Sequence, residues 1–165
     1  MRRNSFLETG KTMKTLKTER GQSLVELAVS LLVLLYLLSG AVEFGLAFFQ
    51  FVQLRDAAQE GALFGSMGPD ETTIETRVRG ASSSPINLAD TSKVTVTITA
   101  KDKDSGSAIQ VSGACEGDAL EVKVSYNHQI FMPFIPQLIG SNIIPLNATV
   151  TDTVLSPVQT SAVCS

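Results

Sequence analysis

From Leu27 to Val42 the chain runs sixteen residues without a charge or a proline, and no other stretch restricts its folding as much. A Leu-rich segment of this kind satisfies its backbone in an apolar medium only as a helix. The apolar character resumes after a single carboxylate, Glu43, through Phe44, Leu46, Phe48, Phe49 and Phe51. A helix from Gln22 to about Phe64 would be roughly 64 Å long at 1.5 Å per residue, about twice the thickness of a bilayer core. The first half is therefore expected to span a membrane and the second half to stand outside it. From Gln53 to Gly65 the pattern changes accordingly: Leu54, Ala57, Ala58, Gly61, Ala62 and Gly65 alternate with Arg55, Asp56, Gln59 and Glu60, an amphipathic helix that needs a cover on one face.

Charge is distributed unevenly about this helix. Residues 1–21 hold six basic side chains against two acidic ones, whereas the remainder holds seven against fourteen. Basic flanks stay on the cytoplasmic side of a span, so the N-terminus is expected inside and the C-terminal region outside. Residues 1–20 lack apolar periodicity and read as a targeting leader. An acidic exterior gives no footprint for nucleic acid. Cys115 and Cys164 both fall in the external part, where an oxidising compartment permits a disulfide, although two cysteines make no pattern and a pair of free thiols fits equally.

Beyond the helix, Gly65-Ser66-Met67-Gly68-Pro69 is a stop. Asp70 and Glu71 ahead of Ile74 and Val78, ended by Gly80, predict a short helix, and residues 81–85 a Ser-rich loop. Period-two alternation then predicts three strands: Val94, Val96 and Ile98 against threonines; Leu120, Val122, Val124 and Tyr126 against Glu121, Lys123 and Ser125; and Leu146, Ala148, Val150 and Val154 against Asn147, Thr149, Thr151 and Thr153. Between the last two, Ile130 to Gly140 is apolar but broken by Pro133 and Pro136, so it predicts a loop or a turn of helix that either folds over the core or offers an apolar patch to a neighbour. The fold class expected is α+β: a long N-terminal transmembrane helix (22–65, after a removable segment 1–21) continuing into a small head, 66–165, with a roughly three-stranded antiparallel sheet covered by the outer half of the helix.

Three blocks together carry a family resemblance: Gly21-Gln22-Ser23-Leu24-Val25-Glu26, Gly40-Ala41-Val42-Glu43-Phe44-Gly45, and Leu54-Arg55-Asp56-Ala57-Ala58-Gln59-Glu60-Gly61-Ala62. The first resembles the class III signal of type IV pilin precursors, and the set is similar to the TadE-like pseudopilins of tight-adherence pilus systems. The resemblance implies a pilin-like fold, cleavage between Gly21 and Gln22 by a separate prepilin peptidase, and Glu26 as the fifth residue of the mature chain, a counter-charge for an α-amino group during assembly. It also implies a minor subunit working with other pilin and pseudopilin subunits and the pilus assembly platform. A capping box of Ser23 with Glu26 is the local alternative for that carboxylate. Glu43, near the outer boundary of the membrane, is expected to be solvated or to pair with Arg55 or with a cation of another subunit. Ala57, Gly61 and Gly65, four residues apart, form a stripe for close packing against the chain's own sheet or against another helix.

Groupings that carry chemistry are scarce. His128 is the single histidine, expected at the surface or hydrogen-bonded beside a strand end. Asp102-Lys103-Asp104-Ser105-Gly106 has the residue types of a calcium loop but the wrong spacing, and is expected to be a turn. No enzyme, cofactor, metal or small-molecule substrate is implied. Two other readings remain open: an uncleaved single-span anchor displaying a β-rich binding module, and a conventional secreted protein cut at Ser39-Gly40-Ala41.

Overall fold

The computed structural model describes residues 19–68, 70–133, 135–156 and 164; of the expected leader, residues 1–18 lie outside the described residues. Helix α1 runs from Glu19 to Gly65. The chain divides between Ser39 and Gly40 into two units. In the first, Leu24, Leu27, Leu31, Leu34 and Leu38 are all more than half exposed. Water does not tolerate such a cylinder, and among the described residues this is the one helix long and apolar enough to cross a membrane.

The second unit, Gly40–Ser165, contains the rest of α1 and the head. Helix α1 ends where the glycines were expected to end it: Ser66, Met67 and Gly68 donate their amides to the carbonyls of Ala62, Phe64 and Gly65, and Gly68 takes φ 93°, which suits glycine. Helix α2 spans Glu71–Gly80 and buries Ile74 and Val78. The strands are β1 (Val94–Lys101), β2 (Ala108–Ile109), β3 (Ala119–Gln129) and β4 (Ile143–Thr153), with a short helix α3 (Ile135–Ile139) in the β3–β4 connection. They form one antiparallel sheet in the order β2-β1-β3-β4. The expected three strands are thus four. The added β2 is two residues long and pairs only with Ala100 and Lys101, too short to carry a period-two signal. Pro145 sits in β4, an edge strand, where a missing amide is tolerated.

The core lies between the sheet and the two helices: Leu54, Ala57, Ala58 and Ala62 of α1, Ile74 and Val78 of α2, and Val94, Ala100, Leu120, Val122, Val124 and Ala148 of the sheet. Strand β3 is laid against α1 with a definite polarity. A Cβ on Gly65 would run into Leu120, at the start of β3, whereas His128, at its end, bonds Glu43 and Gln50. The eight steps from Leu120 to His128 cover about 27 Å of strand, and the fifteen helical residues back from Gly65 to Gln50 about 23 Å, so the two elements run side by side and antiparallel. The end of β4 is tied in by backbone: Leu155 and Ser156 both donate to the Ser66 carbonyl at the end of α1. Gln53, buried within the helix face, reads the 81–93 loop by accepting from the Ile86 amide at 2.9 Å and donating to its carbonyl at 2.7 Å.

The stripe explains a pair of opposite outcomes. Gly65 and Gly61 have no room for a side chain, because a Cβ would enter Leu120 or Val78, while Gly45 faces open space. Gly65→Ala should lower stability by about 1–3 kcal/mol through overpacking, and Gly45→Ala should leave it unchanged or raise it by up to about 1 kcal/mol. Thermal unfolding of the two variants in the same micelles reads the difference.

Candidate functional site

Two regions hold the residues to which function was assigned, one in each unit. In the first, Gly21, Gln22 and Glu26 all lie on α1 and are exposed. No Cβ at Gly21 would touch another atom. Because α1 begins at Glu19, Ser23 lies inside the helix and cannot be its N-cap; the Ser23–Glu26 capping box is therefore not formed, and among the described residues Glu26 has no hydrogen-bond or ion-pair partner.

The second region is a buried polar cluster. Glu43 and Gln50 are seven residues apart, two turns of helix, and so face the same way. His128 enters between them from β3, 1% exposed. Its Nε2 lies 2.8 Å from Glu43 Oε1 and its Nδ1 2.6 Å from Gln50 Oε1. Nε2–H donates to the carboxylate; the Gln50 amide accepts from a protonated Nδ1 or, turned over, donates to a bare one. The Phe131 amide also donates to the Glu43 carboxylate, at 3.2 and 3.3 Å, and the Phe131 ring stands edge-on to the imidazole. Glu43 is thus neither solvated nor paired with Arg55: its partners are His128 and the chain three residues further on. His128 is hydrogen-bonded, as expected, but buried rather than at the surface. The reason is the alternation of β3, which puts residue 128 in phase with Leu120, Val122, Val124 and Tyr126 on the covered face. With both ring nitrogens engaged and the ring enclosed, His128 fastens the strand to the helix and has no access to a substrate.

The remaining candidates are placed as follows. Ala57, Gly61 and Gly65 face the head's own β3 and α2. Cys115 and Cys164 are joined as a disulfide with Cα atoms 5.6 Å apart. Asp102 closes the β1–β2 turn, accepting from the amides of Asp104 and Ser105 and from the Ser105 hydroxyl. The Ser105 amide, then its hydroxyl, holds the Asp102 carboxyl below the usual carboxylate range. Whatever stability this contributes is present above the unfolded pKa and is lost as pH falls through the lower, folded one. Among the described residues no group of three or more His, Cys, Asp or Glu is arranged to hold a metal.

Compared with known families, residues 21–63 match the model described as TadE-like protein, the family that the three sequence blocks resemble. The match starts at Gly21, runs through Glu26 and Glu43, and stops two residues before the end of α1; the sheet lies beyond it. No curated protein and no solved structure matches the chain. The pairing of Glu43, inside the match, with His128, outside it, therefore joins the matched helix to the head beyond it.

Removing His128 leaves Glu43 and Gln50 without a partner in a closed site. His128→Leu should cost about 1–3 kcal/mol, and a double-mutant cycle with Glu43→Gln should show a coupling of at least about 0.5 kcal/mol. Additive effects in chemical unfolding would mean that the contact contributes nothing.

Proposed function

We propose that the chain is a membrane-anchored pilin-like subunit, a minor pseudopilin of a tight-adherence type IV pilus. The observation that carries the reading is the family match over residues 21–63, which coincides with a helix apolar enough to cross a membrane. The basic leader is retained in the cytoplasm and the head stands outside. A prepilin peptidase cuts between Gly21 and Gln22. The new α-amino group at Gln22 lies four residues before Glu26, whose carboxylate has no partner among the described residues and costs about 2.5–3.5 kcal/mol if buried alone in lipid. Pairing with an α-amino group, its own or that of a neighbouring subunit, removes that cost. Exchange of lipid for other subunits' helices along residues 27–39 is nearly neutral in burial, since lipid tails and leucines are similarly apolar, so side-chain packing and the Glu26 pairing decide whether the subunit leaves the bilayer. The role is structural: it requires no cofactor and no substrate beyond partner helices, the peptidase and the assembly platform.

The two steps separate by substitution. Gly21→Leu should leave the chain at full length on immunoblots of membranes, and normal cleavage would sink the proposed route. Glu26→Ala should be cut normally yet enter filaments poorly; losing a pairing of about 1.4 kcal/mol or more lowers incorporation about tenfold or more. Unchanged incorporation would reduce Glu26 to a helix-terminal carboxylate without an assembly role.

A further inference from the structure

The β3–β4 connection combines features that neither the core nor the pilin-like reading uses. Between His128 and Asp152 the chain carries no charged residue. Phe131 is 75% exposed and Ile139 52%, and Ile143 and Ile144 are more than a third exposed. Charge gathers at the opposite end of the sheet, where Asp102, Lys103, Asp104, Glu116 and Asp118 surround the β1–β2 turn and the start of β3. The apolar end is also the end held to the first residues of α1 in this unit: the Phe131 amide bonds Glu43, and Met132 Cε and Sδ lie 3.5 and 3.7 Å from the Cβ position of Gly40. By chain connectivity, Gly40 directly follows the exposed apolar residues that make α1 a membrane span.

Part of the backbone of this connection is paired internally. The Ile130 amide donates to the Asn142 carbonyl, that of Phe131 to Glu43, that of Gly140 to the Pro136 carbonyl and that of Ile143 to the Ser141 hydroxyl. Pro133 and Pro136 have no amide to satisfy.

From the exposed apolar side chains, the missing charges and the position beside Gly40 and Glu43, we propose that Phe131, Ile139, Ile143 and Ile144 form a lipid-contact surface. It rests in the membrane interface and so holds the head at the bilayer while the subunit is in the membrane. Because the segment bears no charge, the recognition is apolar and does not require anionic lipid. The inference rests on the reading of α1 as a membrane span, and the test separates the two.

The chain contains no tryptophan, so single substitutions give unambiguous reporters. Full-length protein carrying Phe131→Trp or, as a second reporter, Ile139→Trp is reconstituted in phosphatidylcholine vesicles with acyl chains brominated near the headgroup. Leu35→Trp, in the span, reports insertion, and Met67→Trp, exposed at the far end of the head, reports general contact. Quenching of about twofold or more at residues 131 and 139, unaffected by salt, with residue 67 unquenched, is the expected result. Quenching at 35 but at neither 131 nor 139 overturns the lipid surface and leaves the span intact; a blue-shifted but unquenched residue 131 would show that another protein copy covers it. Equal quenching at 67 overturns a surface confined to this segment, and no quenching at 35 overturns the span itself.

Discussion

The contact on which the head depends is the one between Glu43 and His128. A carboxylate midway along α1 and an imidazole near the end of a strand, 85 residues apart in sequence, each satisfy a group that would otherwise be enclosed without a partner. Gln50 and the Phe131 amide complete the set. Direction follows from it: with β3 held to α1 at His128 and packed against Gly65 at Leu120, the sheet lies along the helix in one sense only. An apolar seam alone tolerates sliding by a turn, because one leucine replaces another. A hydrogen-bonded seam does not, since a one-turn shift takes the imidazole away from Glu43.

The long helix is therefore two objects made of one element. From Gly21 to Ser39 Glu26 is its one charged residue and its side chains are largely apolar and, Tyr36 apart, exposed, which suits lipid or other apolar helices. From Glu43 its inward face changes to Glu43, Gln50, Gln53, Leu54, Ala57, Gly61 and Gly65, in which polar groups near the boundary give way to small residues where the sheet approaches most closely. Loss of side-chain volume toward Gly65 is what allows Leu120 and Ile74 to reach the helix backbone. The disulfide between Cys115 and Cys164 acts at the other end of the head, where a closed loop of about 50 residues is worth about 4 kcal/mol on the chain-entropy model.

Much of this is legible in the sequence because it is periodic. The uncharged run, the glycine stop at Gly65, the acidic start of α2 and the alternation of β1, β3 and β4 each depend on a local pattern, and the α+β arrangement of helix and sheet follows from the faces that they leave unsatisfied. What local pattern does not carry is pairing between distant positions. Strand β2 has two residues and no period. Glu43 was weighed against its neighbours in sequence, and its partner lies in another element. The information was nevertheless present in phase: helical spacing places Glu43 and Gln50 in line with Leu54, Ala57, Gly61 and Gly65, and strand alternation places His128 in line with Leu120, Val122 and Val124. Two polar positions on faces that must be covered by each other are a prediction of contact. The failed capping box has a different cause, since Ser23 begins a helix only in a chain that starts at Gln22.

That last point leads to the most direct test of the account, which is the N-terminus of the mature protein. Intact-mass and peptide mass spectrometry of the native chain from membranes, allowing for methylation or cyclisation of an N-terminal glutamine, locates it in one measurement. The account predicts a start at Gln22. A start at Met1 would contradict it in favour of an uncleaved anchor carrying the head as a binding module, and a start at Val42 would mean a secreted protein whose span is discarded.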